Sequence, residues 1–188
     1  RVPYLGFGLS YLGADTSRKT DDGSGYQITF GIPLKSSQNK ALEISIFDYA
    51  LTRTQDGDDN FSTGVMLDYV RDYGLLGHSG SFLRAKPYWL VGGGFDEEDS
   101  FGEKKLHLSV NAGGGFYFPT RFYGWGIRTE ARIRAELNDE TCATSNLTTG
   151  VCTETVSTPV TDYMFTVGLQ IPLAWFFDRD IPITDEPE

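Results

Sequence analysis

The sequence predicts an all-β domain: an eight-stranded antiparallel up-and-down transmembrane β-barrel. Three observations predict it. Apolar and polar residues alternate over eight segments, no segment carries a convincing 3.6-residue apolar stripe, and short turns alternate with longer acidic loops. The clearest segment is Trp125–Leu137, WGIRTEARIRAEL. Arg128, Glu130, Arg132, Arg134 and Glu136 take every second position, separated by Ile127, Thr129, Ala131, Ile133 and Ala135. On a helix successive charges would advance by about 200° and scatter around the axis. On a strand all five share one face.

The same period of two runs along the chain. Tyr4–Leu12 places Leu5, Phe7, Leu9 and Tyr11 opposite Gly6, Gly8 and Ser10. Tyr26–Leu34 sets Tyr26, Ile28, Phe30, Ile32 and Leu34 against Gln27, Thr29 and Gly31. Leu42–Leu51 begins with Leu42, Ile44 and Ile46 against Glu43 and Ser45. Its alternation slips at Ile46–Phe47, which predicts a bulge that re-aims Asp48 and Tyr49. Thr63–Arg71 sets Val65, Leu67 and Tyr69 against Met66 and Asp68, and Phe82–Gly93 sets Leu83, Ala85, Trp89 and Val91 against Arg84, Lys86 and Tyr88. Leu106–Phe118 sets Leu106, Leu108, Val110, Ala112 and Phe116 against His107, Ser109, Asn111 and Tyr117. Trp125–Leu137 and Tyr163–Leu173 complete the eight. Ala14–Gly25, Thr54–Phe61, Asp96–Lys105 and Asn138–Thr161 read as polar, mostly long loops. Lys35–Lys40, Asp72–Gly80 and Pro119–Gly124 read as shorter turns.

Composition sets the bounds. A chain of 188 residues holds one domain with a sizeable core, and 39% hydrophobic residues exclude a disordered chain. A net charge of −10 argues against nucleic acid, whose partners carry basic stripes. No run of 18 apolar residues exists, so no transmembrane helix is expected. The start, RVPYLGFGLS, lacks the long apolar core of a signal peptide, so the chain reads as mature or never exported. Cys142 and Cys152 enclose a polar stretch, CATSNLTTGVC. That suits one disulfide in an oxidising compartment, with two unpaired thiols as the alternative, and a bridge is predicted.

Charge placement decides which face meets water. The polar faces carry Glu43, Asp68, Arg84, Lys86, Arg128, Glu130, Arg132, Arg134 and Glu136, four acids against five bases. Each basic residue facing lipid near the midplane would cost roughly 2–4 kcal/mol. Reversing the seventh strand, with its three arginines, would cost on the order of 5–10 kcal/mol, comparable to a whole domain's stability. Inside an eight-stranded barrel only side chains fit, so the charges must interdigitate and pair. The expected pairs are Arg128, Arg132 and Arg134 with Glu43 and Asp68, and Glu130 and Glu136 with Arg84 and Lys86. A soluble lipocalin-like barrel or sandwich would alternate with the opposite facing. Three features disfavour it. Aromatics gather at strand ends as girdles (Tyr4, Tyr26, Trp89, Phe116, Phe118, Phe122, Tyr123, Trp125). The polar faces are rich in small residues, and no helix covers an open end.

The closing strand, YMFTVGLQIPL, resembles the C-terminal assembly signal of bacterial outer-membrane proteins. Thr166, Gly168, Ile171 and Leu173 match its pattern, with Leu173 where an aromatic is usual. The resemblance implies that the barrel-assembly machinery is a partner. The eight-strand plan over about residues 2 to 174 is similar to the membrane domain of the outer-membrane protein A (OmpA) family. That resemblance implies a glutamate on strand three and charges on strand seven in an ionic lumen network, matched here by Glu43, Glu130 and the strand-seven arginines. It also implies periplasmic termini, extracellular long loops, and contact with outer-membrane lipid and lipopolysaccharide in a Gram-negative bacterium. Residues 1–174 are assigned to the barrel and 175–188, an acidic proline-containing stretch, to a periplasmic tail or linker. In the resembled family such a linker leads to a peptidoglycan-binding domain, which these residues do not include.

The remaining motifs are weak. His107-Leu108-Ser109 resembles the catalytic pair of lipid A deacylases, but such a pair must face lipid, and here Leu106, Leu108 and Val110 hold that face. DGDDN (Asp56, Asp58, Asp59, Asn60) and DEED (Asp96, Glu97, Glu98, Asp99) offer oxygen ligands without the spacing of a calcium loop, and read as solvated loops. Asn146 heads a glycosylation sequon read as chance. Gly92–Gly94 and Gly113–Gly115 read as relief of crowding rather than phosphate loops, since no helix follows either. The expectation is a non-enzymatic structural or anchoring barrel with a surface for outside partners, a lumen plugged by charges, and no metal or cofactor. A narrow ion-conducting pore and a lipid A-modifying enzyme using His107 and Ser109 are the alternatives.

Overall fold

The computed structural model describes residues 2–16, 20–34, 39–54, 57, 59–76, 84–100, 103–120, 124–137, 141–145, 152–156 and 160–174, with side chains except at 100, 103, 141–145 and 152–156. Among the described residues ten strands form: β1 (Tyr4–Gly13), β2 (Thr20–Pro33), β3 (Lys40–Arg53), β4 (Asp59–Asp72), β5 (Lys86–Ser100), β6 (Glu103–Pro119), β7 (Gly126–Glu136), β8 (Thr141–Ser145), β9 (Cys152–Val156) and β10 (Thr161–Pro172). Eight close a barrel in the order β1-β10-β7-β6-β5-β4-β3-β2, every neighbour antiparallel. The other two, β8 and β9, pair as a separate hairpin within the stretch read as the last long loop.

The ladder is staggered. Starting at Tyr4, successive partners are Gly31, Glu43, Asp68, Gly92, Asn111, Arg134 and Asp162, which returns to β1 beside Ala14, ten residues above the start. Closure of a twisted sheet requires such a shear, and it tilts the strands by about 35–45°. A tilted strand needs about 9–11 residues to cross a bilayer. Strands β5 and β6, with 15 and 17 residues, run well past that length. The barrel therefore has a terminal end, holding residues 2 and 174, and a hairpin end where β5 and β6 project.

Burial alternates as the sequence requires. On β3 the inward Glu43 is 0% exposed, while Ile44 and Ile46 on the outer face are 45% and 49% exposed. The outer face is a belt of Phe7, Leu9, Ile28, Leu67, Val91, Leu108, Ile133 and Val167, all exposed. Aromatic pairs stand near the terminal end, Tyr69 with Trp89 at 5.6 Å and Phe116 with Phe118 at 6.2 Å. Tyr26, Phe95 and Tyr163 stand exposed nearer the hairpin end. Tyr4 departs from the expected girdle, because its hydroxyl turns inward to Glu43.

Four expectations about the elements are corrected. The bulge at Ile46–Phe47 is absent: β3 alternates without a break through Phe47, Tyr49 and Leu51, all inward and buried, and the register shift lies on β2 between Asp21 and Ser24. What changes along β3 is the polarity of the lumen, not the facing of the strand. Leu12, Phe47, Tyr49, Leu51, Met66 and Met164 form an apolar cluster inside the barrel. The fifth strand starts at Lys86, preceded by an isolated bridge between Leu76 and Ala85. The segment DEED is not a loop but the end of β5, with Asp96 and Glu98 buried at 1% and 5% exposure. Thr20–Gly25, read as loop, belongs to β2.

The expected Cys142–Cys152 bridge finds no support in the backbone register. Cys142 pairs with Thr155 and Cys152 with Ser145, three positions out of step. That offset is about 10 Å along a strand, whereas a disulfide needs Cα atoms within about 7 Å. Residues 175–188, Asp56, Asp58 and Asn146 lie outside the described residues.

Candidate functional site: the lumen network

Side chains meet in the lumen because glycines remove their intervening neighbours. Tyr4, Gly31 and Glu43 are successive register partners, and the Tyr4 ring lies across Gly31 to reach Glu43. Asp68, Gly92 and Asn111 repeat the pattern, so that Asn111 Nδ2 donates to Asp68 Oδ1 at 2.9 Å over the bare β5 backbone. Tyr88, Gly115 and Glu130 repeat it again, with the Tyr88 hydroxyl donating to Glu130 Oε2 at 2.8 Å. The two glycine triplets thus bridge a strand that would otherwise separate partners.

Two ionic layers result. In the layer toward the terminal end, Arg128 donates through Nη1 and Nη2 to the two Glu43 oxygens at 2.6 and 2.8 Å. Its Nε donates to the Tyr88 hydroxyl at 2.8 Å, its plane sits 4.6 Å over the Tyr88 ring, and it also pairs with Glu130. Arg132 pairs with Asp68 at 2.6 Å and with Glu130 on its own strand. Charge-assisted and bidentate bonds of this kind are the strong ones. In the layer toward the hairpin end, Arg134 donates to Asp162 at 2.7 Å and lies 3.5 Å from Glu136 and 3.6 Å from Asp96. Its guanidinium also rests 5.3 Å over the Phe47 ring, which joins the ionic layer to the apolar cluster.

The sequence expectations divide here. Glu43, Asp68, Arg128, Glu130, Arg132, Arg134 and Glu136 all face the lumen, and two of the expected arginine pairs form, Arg128–Glu43 and Arg132–Asp68. Arg134 instead takes Asp162, which the sequence reading missed. Glu130 and Glu136 pair with arginines of β7 itself rather than with Arg84 and Lys86. The reason is the stagger: Lys86 lies at the terminal mouth, lining a cavity of about 320 Å³ with Val2, Asp72 and Pro172, while Glu136 is near the opposite end. Asp96 and Glu98 were also missed, although they keep the parity of Gly92 and Gly94 and so had to point inward. His107 and Ser109 are buried in the lumen at 2% and 0% exposure, away from the apolar face. On the closing strand, Thr166 shares a hydrogen bond with Ser10 at 2.8 Å, Gly168 lies against the backbone of Phe7 and Gly8, and the Leu173 amide donates to Pro3 at 2.8 Å.

Charges inside and hydrocarbon outside define a class: a closed, antiparallel, eight-stranded barrel with inverted polarity. Among solved structures the chain is similar to Neisserial surface protein A (NspA), with a TM-score of 0.59 at 10% identity, covering 90% of this chain and 96% of that one. It also aligns with Ail, the attachment invasion locus protein of Yersinia pestis, at a TM-score of 0.43 and 14% identity over 90% and 97% of the two chains. No family model matches the chain, the OmpA family included. No curated protein matches it either. The likeness to NspA shows the fold.

Proposed function

We propose that this chain is an integral protein of a bacterial outer membrane, with a structural or anchoring role, a closed lumen and a surface for outside partners at the hairpin end. The observation that carries it is the inverted polarity. Facing Arg132 and Arg134 to water instead would put the exposed Leu9, Leu106 and Val167 in the core and the buried carboxylates outside. On this reading the terminal end is periplasmic and the β5–β6 and β8–β9 hairpins face outward. Lipopolysaccharide surrounds the belt, and Thr166, Gly168, Ile171 and Leu173 address the chain to the assembly machinery. The name of NspA describes a surface protein, which fits the same reading.

Two barriers support a closed lumen, the Arg128–Glu43 layer and the apolar cluster around Phe47 and Met66. The mouth cavity at the terminal end reaches only as far as Arg128 and Glu43. This favours a vestibule over a through pore. Its test is direct: the chain should fractionate with outer membranes, migrate faster unheated than boiled on a detergent gel, and give no steady conductance in a planar bilayer. Solubility without detergent and unchanged mobility would sink the membrane reading. Large stable conductance would sink the closed lumen and leave the membrane reading standing.

A further inference from the structure

We propose that the hairpin end of the lumen holds a buried divalent-cation site of the zinc class, built from Glu98, His107 and Glu136. The three residues come from β5, β6 and β7, all are buried, and one ligand atom from each lies within 4.8 Å of the others. Register explains the convergence. Glu98 on β5 is one inward position beyond Asp96, the direct partner of His107, and Glu136 is the partner of Ser109, one inward position below His107. His107 Nδ1 and Glu136 Oε2 already stand 4.0 Å apart.

A second observation points to a bound cation. Both carboxylate oxygens of Asp96, the Ser109 hydroxyl, the Ser62 hydroxyl and Asn60 Oδ1 are buried around this group without a hydrogen-bond partner in the protein. Ser62 is the register partner of Glu98, and Asn60 donates to Glu98 at 2.7 Å, so these atoms belong to one contiguous patch. Buried polar atoms left without partners are costly, and of these the Asp96 carboxylate oxygens and Asn60 Oδ1 can only accept. Arg134 does not satisfy Asp96: its Nη2 is committed to Asp162 and also lies 3.5 Å from Glu136, and its Nη1 stands 3.6 Å from Asp96, beyond hydrogen-bond length.

The donor set selects the metal. One imidazole nitrogen with two carboxylate oxygens is a borderline N/O set that suits zinc, with Asp96 or a water in the fourth position. Calcium prefers six to eight oxygens and magnesium an octahedral shell rich in water, and neither asks for imidazole. Metal–ligand bonds of about 2.0–2.2 Å require the three groups to close by roughly an ångström, within side-chain rotation. The ion would tie together three strands at the level where the outer face turns from Phe95 to Glu97 and from Leu106 to Lys104. It would brace the projecting hairpin, and it performs no reaction.

The experiment uses the full chain, without a histidine tag, folded in detergent micelles. Titration with zinc, followed by calorimetry and by elemental analysis after dialysis, should show one bound equivalent. Magnesium and calcium at the same concentration should not displace it. His107→Gln and Glu136→Gln should each lower zinc affinity by at least about 100-fold while retaining the faster mobility of the folded barrel, and Glu97→Gln, at an exposed carboxylate on the outside of the same hairpin, should leave it unchanged. Cobalt substitution of the wild type supplies a reading that does not depend on the variants folding: intense visible bands of a four-coordinate ion are expected. No retained zinc, which would mean that water alone fills the patch, overturns the proposal. Binding equally strong in His107→Gln and Glu136→Gln, as at surface acids, overturns it too, as does the weak spectrum of octahedral cobalt.

Discussion

Arg128 and Lys104 show how differently one ion pair can weigh. Lys104 meets Glu97 at 2.7 Å on the outside of the β5–β6 hairpin, with both side chains exposed and screened. Replacing Glu97 with alanine should leave the urea midpoint of the folded barrel within error of wild type. Arg128 and Glu43 meet inside, where Glu43 is 0% exposed and also accepts from Tyr4. Glu43→Ala strands a buried guanidinium with only Glu130 and Tyr88, at a cost of about 3–5 kcal/mol. Urea unfolding in lipid vesicles should show that loss, and planar-bilayer recording should show more frequent openings. An unchanged midpoint would mean that water already solvates the pair. Glu43→Gln, which keeps the shape and a hydrogen bond to Tyr4, should fall between the two.

At the scale of elements, the glycine triplets and the apolar cluster each carry a prediction. A β-carbon at Gly92 would collide with Asp68 and the Leu67 carbonyl oxygen, and would stand in the path of the Asn111–Asp68 bond. Gly92→Val should therefore destabilise the barrel by about 1–3 kcal/mol through overpacking. Gly57, whose φ is +77° and whose surroundings are open, should lose stability with alanine for a different reason, backbone strain alone. Phe47 is 1% exposed and closes the lumen beneath Arg134. Phe47→Ala should cost about 3–5 kcal/mol. It should also raise conductance if the apolar cluster is a second barrier; if conductance is unchanged, the ionic layer alone closes the lumen.

For the whole molecule, the closed ladder matters more than any one contact. Every barrel strand has two neighbours, so no edge is left to pair with another chain, and all spanning backbone groups are satisfied. Such a barrel resists detergent, which is why an unheated sample should run as a compact band and shift on boiling. The outward belt predicts that the folded chain partitions into lipid vesicles and precipitates when detergent is removed without them. The β8–β9 hairpin is not part of the closed ladder. Deleting residues 141 to 156 with a short glycine linker should leave the boiled-to-unboiled mobility difference unaltered.

The alternation in RIRAE and ALEIS was enough to set the strands, and the cost of arginines facing lipid, together with aromatics at strand ends and small residues on the polar faces, decided class and facing. That much the sequence determined by itself: an eight-stranded barrel, Glu43 and the β7 charges inside, His107 and Ser109 inside with them. Partner choice was decided by tertiary structure. The stagger of ten residues carried Glu136 away from Lys86, and the bare backbones at Gly31, Gly92 and Gly115 let side chains meet across a strand. Neither quantity has a local signal, since stagger is a property of closure and a glycine does not name its neighbours. Asp96 and Glu98 looked like loop acids because acidic runs are usually solvated, and Asp162 fell between loop and strand, yet the strands continue past the apolar belt and keep their parity. Ile46–Phe47 looked like a bulge for the converse reason, since Phe47, Tyr49 and Leu51 are apolar residues facing inward. Sequence reports polarity, facing follows from parity, and only the closed barrel shows where along its axis the lumen changes from charged to apolar and back.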